Sequence, residues 1–173
     1  GWYVRNQAIW WKPNAMPESV KDRLTVDYEP LYLLSKSPRY YFDAAAIAEK
    51  ATDGDRRTNR IGQYQEKIVP GREGSAIPQA LTSRDVTKRN RRTVWRIPTE
   101  ALRDEHYAPM PEALVEPCIL AGSRPGDTVL DMFFGSGTVG RVALQYGRSC
   151  VGIDKNDAYV DMSERRTNGV QVH

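Results

Sequence analysis

The part of the sequence that most constrains the fold lies between residues 128 and 154. There a short apolar run, a glycine-rich turn, an amphipathic stretch and a second apolar run follow one another. The runs 128–131 and 149–154 predict two strands, and the apolar residues from Val139 to Tyr146 share one face of a helix. Strand, turn, helix and strand in this order form a right-handed βαβ unit. The sequence therefore predicts an α/β fold with parallel strands.

The turn of this unit has features of a nucleotide site. Gly135 and Gly137 allow a ligand to approach the backbone, and Asp154 follows Gly135 at about the 20-residue spacing of an acid that binds both ribose hydroxyls. The third glycine of the dinucleotide pattern is missing, and the turn has no basic residue to balance a pyrophosphate. Asp131 would repel a phosphate, which favours an adenosyl ligand with a positive amino or sulfonium group over NAD. The alternative is that Asp131 only caps the turn.

The remaining elements are predicted from apolar patterns. A helix is expected from Pro111 to Gly122, bent or shortened by Pro117, and another over 159–166. A third, short helix is expected over 44–50. Strands are expected at 2–4, 8–11, 28–35 and 40–42. The run 28–35 is apolar enough to predict burial on both faces of a sheet.

A basic segment interrupts these elements. Residues 49–103 hold 13 of the 25 Lys and Arg residues but only 7 of the 22 acids. We interpret 44–104 as an irregular insert that faces a polyanion, between core parts 1–43 and 105–173. A solvated loop is the alternative. The candidate phosphate or base contacts are Arg56, Arg57, Arg60, Lys88, Arg89, Arg91 and Arg92.

Composition excludes several other classes. The longest uncharged apolar runs are strand-sized, and residues 1–5 have no basic start followed by an apolar run, so neither a membrane span nor a signal peptide is expected. Cys118 and Cys150 are isolated, and His106 and His173 add no ligand spacing. Neither a metal site nor a disulfide framework is therefore expected, and a reducing cytoplasm is the expected location.

The segment from Val129 to Thr138 resembles the S-adenosylmethionine motif of DNA amino-methyltransferases, which methylate adenine N6 or cytosine N4. Met132 replaces the proline usual in that motif. Residues 106–119, 147–159 and 2–43 also match the family, in the order of the subclass called β. The matches cover roughly two-thirds of the chain, and the part without a match is mainly 44–92.

The resemblance implies a Rossmann-like methyltransferase fold, the cofactor S-adenosylmethionine and double-stranded DNA as partner. Lys12 and Asn14 would line the base pocket, or else form an ordinary turn; His106 would otherwise be a surface or core histidine. The cofactor residues that it implies are His106, Ala108, Pro111, Asp131, Phe133, Phe134, Gly135, Ser136, Gly137, Thr138, Asp154, Lys155 and Asn156.

The catalytic motif of the family, Asp- or Ser-Pro-Pro-Tyr, is absent, since no two prolines of the chain are adjacent. The strand that carries it would precede Trp2, so we expect a fragment that lacks the N-terminal portion and is inactive alone. By analogy with phage members, cytosine N4 is slightly favoured over adenine N6. The alternatives are a non-catalytic DNA- or cofactor-binding module, half of a split methyltransferase, and, less favoured, a nucleotide-binding oxidoreductase.

Overall fold

A computed structural model describes residues 1–52, 87–100 and 110–167. The chain divides into two compact units, one formed by 1–46 and 92–173 and the other by 47–91. In the described part of the second unit, β3 (Glu49–Lys50) pairs antiparallel with β4 (Lys88–Arg89). None of the described helices is long and apolar enough to cross a membrane.

The first unit contains a three-stranded sheet in the order β2-β1-β5. The middle strand, β1 (Tyr3–Trp11), is antiparallel to β2 (Tyr28–Ser35) and parallel to β5 (Val94–Arg96). The two apolar runs predicted as separate strands near the start of the chain are one strand, with a register shift between Val4 and Asn6. Because pairing with β2 continues on both sides of this irregularity, β1 is a single strand.

The βαβ unit forms as the sequence predicts. β6 (Thr128–Asp131) and β7 (Ser149–Gly152) pair in parallel, and α2 (Thr138–Gln145) connects them. They are flanked by α1 (Glu112–Gly122) and α3 (Asp157–Thr167). Pro117 does not shorten α1, which continues for five residues beyond it.

Helix α1 contributes to both apolar clusters of this unit. Leu114 packs with Trp10 and Ile97 of the three-stranded sheet. The next residue, Val115, packs with Val142 and Ala143 of α2. Trp95 borders the first cluster. The α/β fold is therefore built around α1.

Both sheets of the first unit have one face that no described residue covers. On the first sheet Tyr32 and Leu34 are exposed, and on the second Leu130 and Val151 are exposed by 58% and 50%. The prediction that 28–35 is buried on both faces is wrong, because the described helix that packs on this sheet, α1, covers one face.

Two smaller predictions also fail. Residues 40–42 form no strand, and 44–47 form a turn instead of a helix, because the Asp43 side chain accepts the backbone N–H groups of Ala45 and Ala46. Strand β5 lies inside the segment interpreted as an irregular insert, yet it pairs with β1. The division into core and insert stays a prediction.

Candidate functional site

The glycine-rich turn leaves β6 and ends at the start of α2. Gly135 and Gly137 have φ values of +51° and +79°, in the left-handed region that other residues rarely adopt. The Gly137 N–H donates to the Phe134 carbonyl at 2.9 Å, which closes the turn. The backbone conformation of the turn therefore requires glycine at these two positions.

Asp154 fixes this turn from the neighbouring strand. Its Oδ2 accepts the Gly135 N–H at 2.8 Å, and its Oδ1 accepts the Asn156 N–H at 2.9 Å. These bonds, the Asn156 one foremost, lower the pKa of Asp154 below its ordinary value. A carboxylate has about four acceptor positions, and the Lys155 N–H also interacts with this one, so the bonds to the backbone leave acceptor capacity for a ribose hydroxyl.

Asp131 lies at the other side of the turn. Its Oδ1 accepts the Phe133 N–H at 2.9 Å, so it does have the capping role that the sequence left open. Phe133 is 88% exposed and Met132 is 61% exposed, so both side chains extend into solvent. The capping bond occupies one acceptor position of Asp131 and leaves its negative charge at the turn.

Phe134 has a packing role. Its ring occupies the space beside Gly140 and Gly152, where an added Cβ would lie 2.5 and 2.3 Å from ring atoms. Its N–H donates to the Ile153 carbonyl at 3.0 Å, which adds a backbone link to the segment after β7. Phe134, Cys150 and Asp154 line a cavity of about 320 Å³ that continues along α3. Phe134 therefore determines the spacing between the turn and β7.

Arg166 contacts the turn, although no sequence pattern predicted this residue for the site. Its Nη1 donates to the Ser136 carbonyl at 2.8 Å and also to Ser136 Oγ. The turn itself has no basic residue, as predicted, but α3 places a guanidinium against it. Thirty residues separate the two side chains, and no local pattern signals such a contact.

The two candidate base-pocket residues have different surroundings. Lys12 lines a cavity of about 510 Å³, where its ammonium group lies 4.6 Å from the Trp10 ring centroid and pairs with Glu29. Asn14 instead binds Thr99: its Nδ2 donates to the Thr99 carbonyl at 3.1 Å, and its Oδ1 accepts the Thr99 N–H at 2.9 Å. Only Lys12 of the pair lines the cavity.

The candidate DNA contacts are only partly described. Lys88 and Arg92 are exposed, whereas Arg89 pairs with Glu49 at 3.3 Å and also donates to the Thr52 hydroxyl. Arg91 is half-buried. The predictions for Arg56, Arg57, Arg60, His106 and Ala108 lie outside the described residues.

Of the remaining residues predicted to bind the cofactor, two are buried and two are exposed. Pro111 is buried at the start of α1, and Thr138 is buried at the start of α2. Lys155 and Asn156 are exposed after β7. Over the described ranges, no group of three or more His, Cys, Asp or Glu side chains is placed to hold a metal ion.

Comparisons with known proteins agree with this fold. The chain is 43% identical over 169 residues to the Type II methyltransferase M.Cfr9I of Citrobacter freundii and 42% identical over 166 residues to M.SmaI of Serratia marcescens. These matches cover 98% and 96% of the chain but 46% and 47% of the relatives. The chain thus spans just under half the length of the curated relatives it matches.

Solved structures share the fold at low identity. The S-adenosylmethionine complex of M1.HpyAVI has a TM-score of 0.61 at 21% identity, covering 97% of this chain and 64% of that one. The cytosine-N4-specific PvuII DNA methyltransferase has a TM-score of 0.57 at 16% identity, covering 98% and 59%. The predicted α/β methyltransferase fold is therefore confirmed.

A family model described as DNA methylase, of the N6/N4 type, matches residues 1–165. Because this match extends over nearly the whole sequence, the resemblance noted from the motifs alone is confirmed. The chain belongs to the N6/N4 DNA methylase family.

Proposed function

We propose that this chain is the S-adenosylmethionine-binding portion of a DNA methyltransferase that acts on an exocyclic amine of a flipped base. The observation that carries the proposal is the pair of bonds from Asp154 to the backbone of Gly135 and Asn156. These bonds fix a carboxylate beside a glycine turn and leave acceptor positions for a ribose. The family and the relatives named above support the same reading.

The charges around the turn fit an adenosyl sulfonium ligand. Asp154 is held ionised by its backbone donors and would accept the ribose hydroxyls. Asp131 places a second carboxylate at the end of β6, where it would attract the positive sulfur and amino group. Exposed Phe133 would contact the ligand, while Lys155 and Asn156 lie beside Asp154 for the adenine edge.

When bound, the cofactor would supply an electrophilic methyl group: its bond to sulfur would break as the bond to the exocyclic nitrogen forms, leaving a thioether, and the amine proton would pass to water. The protein's contribution is to hold the base and exclude water. We assign the base pocket to the cavity lined by Lys12, whose ammonium group would meet acceptor atoms of a base. Asn14 supports this pocket indirectly, since its amide is bound to Thr99.

We further propose that the 173 residues transfer no methyl group unaided. No two prolines are adjacent in the sequence, so the tetrapeptide that accepts the target amine in this family is absent from it. Leu130 and Val151 on β6 and β7 are exposed, and a further portion that covers this sheet would bury them. The alternative is a non-catalytic module or one half of a split enzyme.

The coding sequence upstream of Gly1 distinguishes these readings. An in-frame Ser- or Asp-Pro-Pro-Tyr supports a continuous methyltransferase, whereas a start codon at this position supports a module or a split enzyme. Between the two target amines we favour cytosine N4, from the resemblance to phage members alone. Mass spectrometry of nucleosides from modified DNA separates N4-methylcytosine from N6-methyladenine.

Double-stranded DNA is the proposed partner of the basic segment 49–103. Among its described candidate contacts, Lys88 and Arg92 are exposed, while Arg89 is engaged by Glu49. DNA affinity should fall steeply with salt, because phosphate contacts release counterions. A salt-independent affinity would remove this segment from the DNA interface.

The cofactor proposal is tested by calorimetric titration of the chain with S-adenosylmethionine and, separately, with NADH. We expect the first to bind and the second not to bind. A preference for NADH would reverse the assignment in favour of an oxidoreductase. Saturable binding of S-adenosylmethionine that Asp154→Ala leaves unchanged would place the site elsewhere in the chain.

A further inference from the structure

We propose that Arg166 is a positioning residue of the cofactor site, which orients the Ser136 hydroxyl to donate its proton to the carboxylate of the bound cofactor. This inference rests on the proposed function and deepens it, because it assigns the amino-acid end of the ligand to a particular side chain. It also gives α3 a role in cofactor binding.

The geometry joins α3 to the turn at two points. The Arg166 guanidinium donates to the Ser136 carbonyl at 2.8 Å and to Ser136 Oγ through the same nitrogen. One turn earlier in the helix, Ser163 is buried against Gly137, where an added Cβ would lie 2.8 Å from the Ser163 Cβ. Both residues of the Arg166–Ser136 pair are half-buried, so solvent competes less for these bonds.

The hydrogen bonds that Ser136 already accepts determine the direction in which its hydroxyl proton points. A hydroxyl has one proton to donate and two lone pairs that accept. Because arginine is always a donor, the bond from Arg166 uses a lone pair of Ser136 Oγ. A second bond from Arg166 uses a lone pair of the Ser136 carbonyl oxygen. The hydroxyl proton must therefore point away from the guanidinium and is available to an acceptor.

The ligand provides one group that matches this donor. An adenosyl sulfonium with an amino-acid tail has a single anionic group, its carboxylate, and a positive sulfur that Asp131 would attract. Within the described residues Arg166 forms no ion pair, so its charge is not neutralised by a carboxylate of this part of the chain. A ligand carboxylate at Ser136 would therefore face a charge-assisted donor.

The test compares Arg166→Met with the matched control Arg165→Met in the full chain. Arg165 precedes Arg166 in the same helix, is exposed, and carries the same charge. Each variant is titrated with S-adenosylmethionine and with 5′-methylthioadenosine, which keeps the adenosine and lacks the amino-acid tail. We expect Arg166→Met to lower the affinity for S-adenosylmethionine by about tenfold and to leave the affinity for 5′-methylthioadenosine unchanged.

Two further variants refine the expectation. Arg166→Lys keeps a donor but loses the planar fork, so it should recover part of the affinity. Ser136→Ala should match Arg166→Met, and the double variant should lose no more than either one, because both remove the same interaction. Arg165→Met should bind both ligands as the unsubstituted chain does.

Amide exchange, followed by NMR in the ligand-free chain, separates this inference from the proposed function. Arg166→Met should accelerate exchange of the Gly137 N–H, which the turn protects, and Arg165→Met should not. If Arg166→Met lowers the affinity for both ligands equally, or for neither, the proposed contact with the ligand carboxylate is overturned, while the proposed function is not. Failure of the unsubstituted chain to bind either ligand overturns the proposed function and the contact with it, while the exchange rates still report whether Arg166 holds the turn.

Discussion

Asp154 and Gly135, nineteen residues apart, are joined by a 2.8 Å hydrogen bond from the Gly135 N–H to Asp154 Oδ2. The bond connects the segment after β7 to the turn after β6, so the same carboxylate that would bind a ribose also fixes the turn. Asparagine has one oxygen in place of two, so in Asp154→Asn one backbone donor loses its acceptor and meets an N–H group.

We expect Asp154→Asn to lower the affinity for S-adenosylmethionine by on the order of ten- to a hundredfold, since both a charge and a bond are lost. Titration calorimetry measures the loss. Asp161→Asn on the exposed side of α3 removes the same charge nearby and is the matched control. Equal affinities of the two variants would contradict a specific role for Asp154.

The pH dependence of stability follows from the same bonds. The pKa of Asp154 is lowered in the folded chain, chiefly by the Asn156 N–H and then by the Gly135 N–H. Its contribution to stability is therefore complete above the ordinary value of 3.8 and is lost as the pH falls through the lower folded pKa. Urea unfolding should show a stability difference between the unsubstituted chain and Asp154→Asn that narrows below pH 3.8 and is constant at neutral pH.

The packing of Phe134 gives a steric prediction. A Cβ on Gly152 would lie 2.3 Å from the Phe134 ring, so Gly152→Ala must displace that ring. We expect the free energy of unfolding to fall by about 1–3 kcal/mol. Gly122→Ala is the control, because nothing lies within 4 Å of a Cβ added there.

A second substitution at Phe134 tests the cause of that loss. Phe134→Leu removes the ring atoms that meet the new Cβ, so the cost of Gly152→Ala should shrink when the two are combined. Urea unfolding of the four variants measures the coupling. Additive costs would mean that Gly152 matters for a reason other than this ring.

The elements that could be predicted from sequence are those whose information is local. The βαβ unit has a strand, two glycines with left-handed φ values and an amphipathic helix within 27 residues, and Asp154 follows at a fixed spacing. Each of these is set by neighbours in the chain. The strand at 28–35 was also predicted correctly, but its burial was not, because apolar composition does not reveal whether both faces are covered.

What could not be predicted depends on contacts between distant residues. The Asn14–Thr99 pair spans 85 residues and the Arg166–Ser136 pair spans 30, so no periodic pattern carries either. The expected helix over 44–50 failed because the Asp43 carboxylate offers two backbone N–H groups a competing partner. Sequence patterns predicted the glycine turn and Asp154, but not Arg166, which also contacts the turn.

Arg148 should be important for stability rather than for binding. It is 7% exposed, and its guanidinium donates to the Ser123 carbonyl at 2.7 Å and to the Tyr146 carbonyl. Ser123 ends α1, so the positive charge also suits the helix C-terminus. We expect Arg148→Met to cost about 2–4 kcal/mol, because the buried Ser123 carbonyl and the half-buried Tyr146 carbonyl lose their donors.

Arg141→Met is the matched control for Arg148→Met. Arg141 pairs with Glu112 at 3.0 Å at a more exposed position, so its loss should cost about 0–1 kcal/mol. Chemical denaturation of both variants compares the two costs. Similar values would show that the buried bonds of Arg148 are not worth more than an exposed ion pair.

Cys150 reports on the charge of Asp131. Burial and then the nearby Asp131 carboxylate raise the pKa of the Cys150 thiol, so alkylation by iodoacetamide should be slower at Cys150 than at exposed Cys118. Asp131→Asn removes the charge, which should shift the pH–rate profile of Cys150 to lower pH, as followed by peptide mass spectrometry. Loosening of the turn would instead raise the rate at every pH without moving the midpoint. An unmoved midpoint would therefore mean that the Asp131 charge does not act on this thiol, and Asp161→Asn should leave the whole profile unchanged.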